Sequence, residues 1–226
     1  MRLLKHEWIE ETIKLDKSIT NVLVLENHKF YRDFVLGLQQ QIDEDIPMLV
    51  FSEDLKELKL SSCAVLLTDL FDIPIDDKKC SSIIYKDIEK AISDEQRVGL
   101  GKLNQEIASF LGNLTMDYPI PLTFDDDIKL TNLLKVFNVR PEYHPIEFIE
   151  ALVTRIKIIN SIMKKDLIFM VNLHDLLRTD ELIDFYKEMR LLQIDIVVID
   201  SHEPKTLIDG YEKGIVIDKD LCEILK

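Results

Sequence analysis

The stretch Thr20-Asn21-Val22-Leu23-Val24-Leu25-Glu26 runs without a break into Asn27-His28-Lys29-Phe30-Tyr31-Arg32-Asp33-Phe34. An apolar run of this length, followed at once by helical spacing, predicts a buried strand that turns directly into an amphipathic helix over about 28–41. An open α/β sheet begins in this way, which constrains the fold class more than any other segment does. The turn holds no glycine. A phosphate-binding turn needs glycines so that successive backbone N–H groups can close around phosphate oxygens, and a Walker loop also needs a Lys and a Ser or Thr. Asn27 and His28 must make this turn alone, so the scaffold of a nucleotide enzyme is expected here without its phosphate chemistry.

The same texture recurs along the chain. Met48-Leu49-Val50-Phe51 and Ala64-Val65-Leu66-Leu67-Thr68-Asp69 predict short strands covered on both faces. Segments 167–171 and 194–199 repeat the pattern with a helix over about 180–191 between them, which predicts a mostly parallel sheet. Leu3 to Leu15 alternates loosely and predicts an edge strand or hairpin. The middle of the chain reads as helices. Ser81 or Ser82 is expected to cap one that runs to about Ile92, and Ser93 with Glu95 and Gln96 opens another towards Leu114. A third follows Asp125, Asp126 and Asp127 and ends near Asn138, a residue suited to a left-handed terminus. Pro145 opens a fourth, to about Lys164, in which Ile149, Leu152, Val153, Ile156 and Met163 keep helical spacing. The simplest assembly is an α/β head from residues 1–77 and 166–226, with an α-helical insertion at 78–165.

Composition narrows the function. Six Gly and seven Pro exclude collagen-like or linker-dominated architecture. Arg2, Lys5, His6 and Glu7 break up the N-terminus, so a secretory leader is not expected, and no run approaches the ~18–20 apolar residues that span a bilayer. Cys63, Cys80 and Cys222 are odd in number and far apart, which fits reduced thiols in a cytoplasm. The net charge of −14 argues at first against nucleic acid, but it is unevenly spread. Residues 1–77 carry −8, residues 166–226 carry −7, and residues 78–165 carry +1. Distribution rather than sum decides where a polyanion can approach.

In a helix over 79–92, Lys79, Lys86 and Lys90 fall within a stripe about 40° wide, with Ile84, Ile88, Ala91 and Ile92 on the opposite side. Such a stripe can track a phosphate backbone. It also meets the requirements of an ordinary solvated helix face, and Asp87 and Glu89 flank it. Asp125, Asp126 and Asp127 can supply oxygen ligands to calcium, or can complement the dipole of the helix that follows them. Glu26, Asp69 and Asp200 fall at the carboxyl ends of predicted strands, where open sheets place their sites. Glu57-Leu58-Lys59 has nuclease-like spacing in a turn-like context, and the five histidines show no metal spacing. No Ser or Cys stands in a nucleophile elbow, so no residue is expected to carry catalysis.

The ordered series of segments resembles the small spacer-acquisition proteins of type II-A CRISPR systems, the Csn2 family. Ile9 to Leu15 is similar to that family's acidic N-terminal strand, with Thr12 where a proline is usual. Asn21 to Glu26 resembles its first core strand, and Leu67-Thr68-Asp69 its short strand end before the helical region. Lys164-Lys165-Asp166 leading into 167–172, and the helix start Thr179-Asp180-Glu181, complete the likeness over nearly the whole chain. The resemblance implies a RecA-like head with a degenerate P-loop-like region and an inserted α-helical leg. It also implies a homotetrameric ring with a lysine-lined hole that binds double-stranded DNA, especially linear ends, and calcium ions that support assembly.

The role it implies is spacer acquisition in antiviral defence, beside the CRISPR integrase proteins and the type II effector nuclease, with no enzymatic activity and no nucleotide. The DNA contacts expected are Lys78, Lys79, Lys86, Lys90, Lys164 and Lys165, and the calcium ligands Asp117, Asp125, Asp126 and Asp127. One departure is that Tyr118-Pro119-Ile120-Pro121-Leu122 stands where the family often has a longer acidic run. The residues by themselves leave open a divergent RecA-like nucleotide enzyme with a site at Glu26, Asp69 and Asp200, and a protein–protein adaptor that binds no DNA.

Overall fold

The computed structural model of the chain describes residues 1–72, 77–141 and 147–226, the side chains of Asp77 and Lys79 excepted. The chain divides into two compact units, Met1–Pro74 with Tyr143–Lys226, and Ile75–Glu142.

In the first unit, β1 (Arg2–Lys5) and β2 (Ile13–Leu15) form the expected antiparallel hairpin. The chain then enters β3 (Thr20–Leu25), every residue of which is buried, and passes into α1 (His28–Glu44). β4 (Val50–Glu53) and β5 (Lys56–Glu57) do not join the parallel sheet. They pair antiparallel beside β1 in a small sheet ordered β2-β1-β4-β5. Val50 is 53% exposed and Phe51 is buried, so this run has one covered face rather than the two that its apolar texture predicts. The short α2 (Leu60–Cys63) leads into β6 (Ala64–Leu67).

The second unit holds α3 (Asp77–Ala91), α4 (Asp94–Thr115) and α5 (Leu130–Val136). The first unit resumes with α6 (Phe148–Ser161), β7 (Leu167–Val171), a 3-10 turn (Leu173–Asp175) and α7 (Thr179–Leu191). β8 (Asp195–Asp200), β9 (Glu212–Ile217) and β10 (Glu223–Leu225) close the chain.

Among the described residues the main sheet has six strands in the order β10-β9-β3-β8-β7-β6. Every pairing is parallel except β10 with β9. Alternation along the strands feeds two cores. Val22, Val24, Ile168, Met170, Ile196 and Val198 face α6 and α7 on one side. Leu23, Leu25, Phe169, Val197 and Ile199 face α1 and the small sheet on the other. The layers are therefore helix, sheet, then helix plus small sheet, as period-2 alternation in buried parallel strands requires.

Several boundaries differ from the sequence reading. α6 belongs to the first unit, not to an insertion running to 165, because Leu152, Val153, Ile156 and Ile159 are buried in the sheet's core. Pro145, expected to open this helix, lies outside the described residues. α3 begins at Asp77, so Ser81 and Ser82 lie inside it rather than capping it. At α4 the expected cap forms in full: Ser93 Oγ accepts from the Gln96 amide at 3.2 Å, and the Gln96 side chain accepts from the Ser93 amide at 2.8 Å. Asn138 follows α5 with φ 49°, in the left-handed region expected of it. No disulfide links the three cysteines. No described helix is long and apolar enough to cross a membrane.

Candidate functional site

The glycine-free turn is closed by its own side chain. Asn27 caps α1, its Oδ1 accepting from the Phe30 amide at 3.1 Å, and its Nδ2 donates to the Lys219 carbonyl at 2.9 Å. The helix N-terminus that would receive a phosphate is thus held by a local cap, itself tied to the loop after β9.

The three acids at strand ends are not gathered on one ligand. Asp69, after β6, accepts from the amides of Phe71 and Asp72 at 2.9 and 3.1 Å and so shapes a turn. Glu26 follows β3 and is half-buried. Asp200, at the end of β8, is drawn into a buried network that spacing alone could not reveal. His174, in the 3-10 turn after β7, places Nδ1 2.5 Å from Asp200 Oδ2 and Nε2 2.9 Å from Glu212 Oε1. Glu212, at the start of β9, also accepts from the Tyr186 hydroxyl of α7 at 2.6 Å. β8 and β9 flank β3, so the imidazole ties the two neighbours of the central strand together across its face.

The protonation of this cluster follows from its geometry. Burial draws the His174 pKa down, but hydrogen bonds to Asp200 and Glu212 and their charges outweigh that and raise it from 6.5 to about 9. Burial pushes Asp200 above the ordinary carboxylate range despite His174. Glu212 is also desolvated, yet its bonds to His174 and Tyr186 hold it below that range. At neutral pH the site is an imidazolium between two carboxylates, with a protonated phenol beside them. A histidine whose folded pKa is raised stabilises fully below its unfolded value and loses that contribution as pH rises through the folded one. The unfolding midpoint is therefore expected to decline as pH rises from 6.5 to about 9, and His174→Asn to flatten that decline in thermal melts taken across pH.

In the second unit, α3 turns Cys80 and Tyr85 inward, while Lys78, Lys86 and Lys90 are exposed. The Lys79 side chain lies outside the described residues. The face opposite the lysines is less covered than its apolar pattern predicts: Ile88 is 36% exposed, and Ile84 and Ile92 are half-buried. Asp125, Asp126 and Asp127 do not cap α5, which starts at Leu130 with Lys129 at its N-cap position and no side-chain cap bond. Asp127 instead accepts from Asn104 Nδ2 of α4 at 2.9 Å. Asp117 follows α4 and is exposed. These acids do not form a cation cage: among the described residues no group of three or more His, Cys, Asp or Glu is placed to hold a metal ion.

Lys164 and Lys165 lie in the first unit, between α6 and β7, whereas the α3 lysines belong to the second. Lys164 is exposed, and Lys165 Nζ donates to the Ser61 carbonyl. Glu57 sits in β5, and Lys59 pairs with Asp45 at 2.6 Å, so the nuclease-like spacing joins no acidic site.

Comparison with known proteins gives two findings. A family described as CRISPR-associated protein (Cas_Csn2) matches residues 41–221. The CRISPR-associated protein Csn2 of Streptococcus agalactiae is 26% identical over 205 residues, which cover 90% of this chain and 89% of that protein.

Proposed function

The chain belongs to the Csn2 family of CRISPR-associated proteins, and on that premise we propose that it is a non-catalytic protein that holds double-stranded DNA during spacer acquisition. The observation that carries the reading is the exposed pair Lys86 and Lys90, one turn apart on α3, with Lys78 also exposed nearer its start. It stands in the one stretch of an acidic chain whose charge is close to neutral. Phosphate contacts from such ammonium groups carry no sequence information, so binding is expected to be independent of sequence.

The first unit is read as a degenerate RecA-like head, its phosphate turn closed by Asn27, and the second as a helical leg. Phe110, Leu114, Met116, Val136 and Phe137 are each at least 65% exposed in that second unit. Apolar side chains left open in this number support association between copies, and the assembly proposed is a homotetrameric ring. The CRISPR integrase proteins and the effector nuclease are its proposed partners. No step here depends on calcium, because the described residues of one chain do not assemble its ligands. Light scattering with calcium and with chelator reads whether the ion acts on assembly.

The test is a binding titration of linear duplex against a small closed circle of equal length. A threaded ring binds the linear form and leaves the circle largely free, and equal binding would sink the threading model. Three phosphate contacts per chain give a log–log salt slope of about −2.7, or roughly 40-fold weaker binding from 50 to 200 mM salt. Absence of any complex at low salt would point to an adaptor that binds no DNA.

A further inference from the structure

A cavity of about 380 Å³ opens in the first unit where Asn27, just after β3, and Leu221, in the loop after β9, come together. One wall is aromatic. His6 stands 5.8 Å from Phe30 and 5.2 Å from Phe34, centroid to centroid, and the two phenyl rings are 6.0 Å apart. Trp8 lines the same cavity, is 60% exposed, and makes no ring contact among the described residues. Its indole N–H is held at the edge by Glu7 Oε1, at 2.9 Å. Asp33 and Lys29 of α1 also line the cavity.

His6 makes the cavity more than an apolar dent. Its Nδ1 accepts from the Trp8 amide at 3.1 Å, so the neutral ring carries its proton on Nε2. That N–H has no acceptor among the described residues, although His6 is only 7% exposed. Burial lowers the pKa of His6, which keeps the ring neutral at pH 7. That N–H is not sealed from water, so a ligand that covers it must supply an acceptor in return, and the aromatic wall beside it favours a flat one with the acceptor on its edge.

We propose that this cavity binds a nucleoside, its base stacked on Trp8 against the His6–Phe30–Phe34 wall and accepting the Nε2 proton of His6. A purely hydrocarbon ligand, aliphatic or phenyl, would cover that donor without pairing it, whereas every base carries ring or carbonyl acceptors. Asp33 can accept from the exocyclic amino or ring N–H groups that bases also carry. Phosphates add little. The Phe30 amide at the start of α1 is already taken by Asn27, and the carboxylate of Asp33, itself paired with Arg32 at 3.1 Å, lines the same cavity. The site is therefore one for the base, beside a helix end that has given up phosphate binding, and it stands independently of the DNA reading.

Trp8 is the chain's single tryptophan, so its fluorescence reports on the cavity alone. Titration with adenosine and guanosine is expected to quench it saturably, ribose is expected to have no effect, and the triphosphates are expected to bind within about threefold of the nucleosides, phosphate contacts being absent. Trp8→Leu, at an exposed position, is expected to keep the thermal unfolding midpoint and to weaken nucleoside binding roughly tenfold or more by ligand-observed NMR, through loss of stacking. Quenching that rises linearly without saturation overturns the proposal, as does binding unchanged by Trp8→Leu. A triphosphate bound far more tightly than its nucleoside also overturns it, since that would make the site one for phosphate.

Discussion

His174→Ala is expected to lower the stability of the first unit by about 3–5 kcal/mol, measured by urea unfolding at neutral pH. The substitution removes the cation between two side chains that are nearly inaccessible, Asp200 at 3% and Glu212 at 0% exposure. Glu212 keeps the Tyr186 hydroxyl and the Ile208 amide, so the greater loss falls on Asp200, whose Oδ1 already has no partner. A buried carboxylate stripped of its counter-charge must either take up a proton or admit water. Adding Asp200→Asn to His174→Ala is therefore expected to restore part of the loss, a coupling that a double-mutant cycle reads directly. A loss under about 1 kcal/mol for His174→Ala would mean that the bridge across β3 contributes no more than an exposed ion pair.

Reversing Lys79, Lys86 and Lys90 to Glu together is expected to abolish binding of linear duplex while leaving the oligomer and its thermal unfolding unchanged. Lys86 and Lys90 are exposed, so the exchange costs the fold little, whereas it turns attraction for phosphate into repulsion along the face. Without these ammonium groups most of the electrostatic affinity is gone even at low salt, and the carboxylates in their place oppose what remains. Anisotropy of a labelled duplex, run beside light scattering, separates loss of binding from loss of assembly. Binding that survives unchanged would show that α3 presents an ordinary solvated face.

The framework of the first unit was legible because its signals are local. The run at 20–26 had nothing in it to interrupt a buried strand, and 167–171, 180–191 and 194–199 became β7, α7 and β8 with ends shifted by a residue or so. The capping box at Ser93 is likewise a pattern four residues long. β9 and β10 were not legible: β9 opens on Glu212, Lys213 and Gly214, which no strand pattern favours, and its Glu212 is buried only because His174 and Tyr186 meet it there. The same non-local pairing hid the charged cluster, in which His174 lies 26 and 38 residues in sequence from its two carboxylate partners. The apolar run at 48–51 misled for the opposite reason. Its composition suits a doubly covered strand, but β1 offered it an antiparallel partner outside the main sheet. The lysine face of α3 was visible from spacing alone, since exposure of a long charged side chain needs no partner.

The order of the main sheet sets the order in which the chain can complete itself. β3 is the third strand made, yet its neighbours on both sides, β8 and β9, come from residues 195–217. During synthesis a strand destined for complete burial must therefore wait, without either neighbour, until residue 195 and beyond have left the ribosome. The second unit, Ile75–Glu142, is continuous in sequence and has no such delay. A nascent chain halted before residue 212 would expose the hydrophobic edge of β3 to chaperones or to its neighbours, so for this fold β8 and β9 decide between maturation and aggregation.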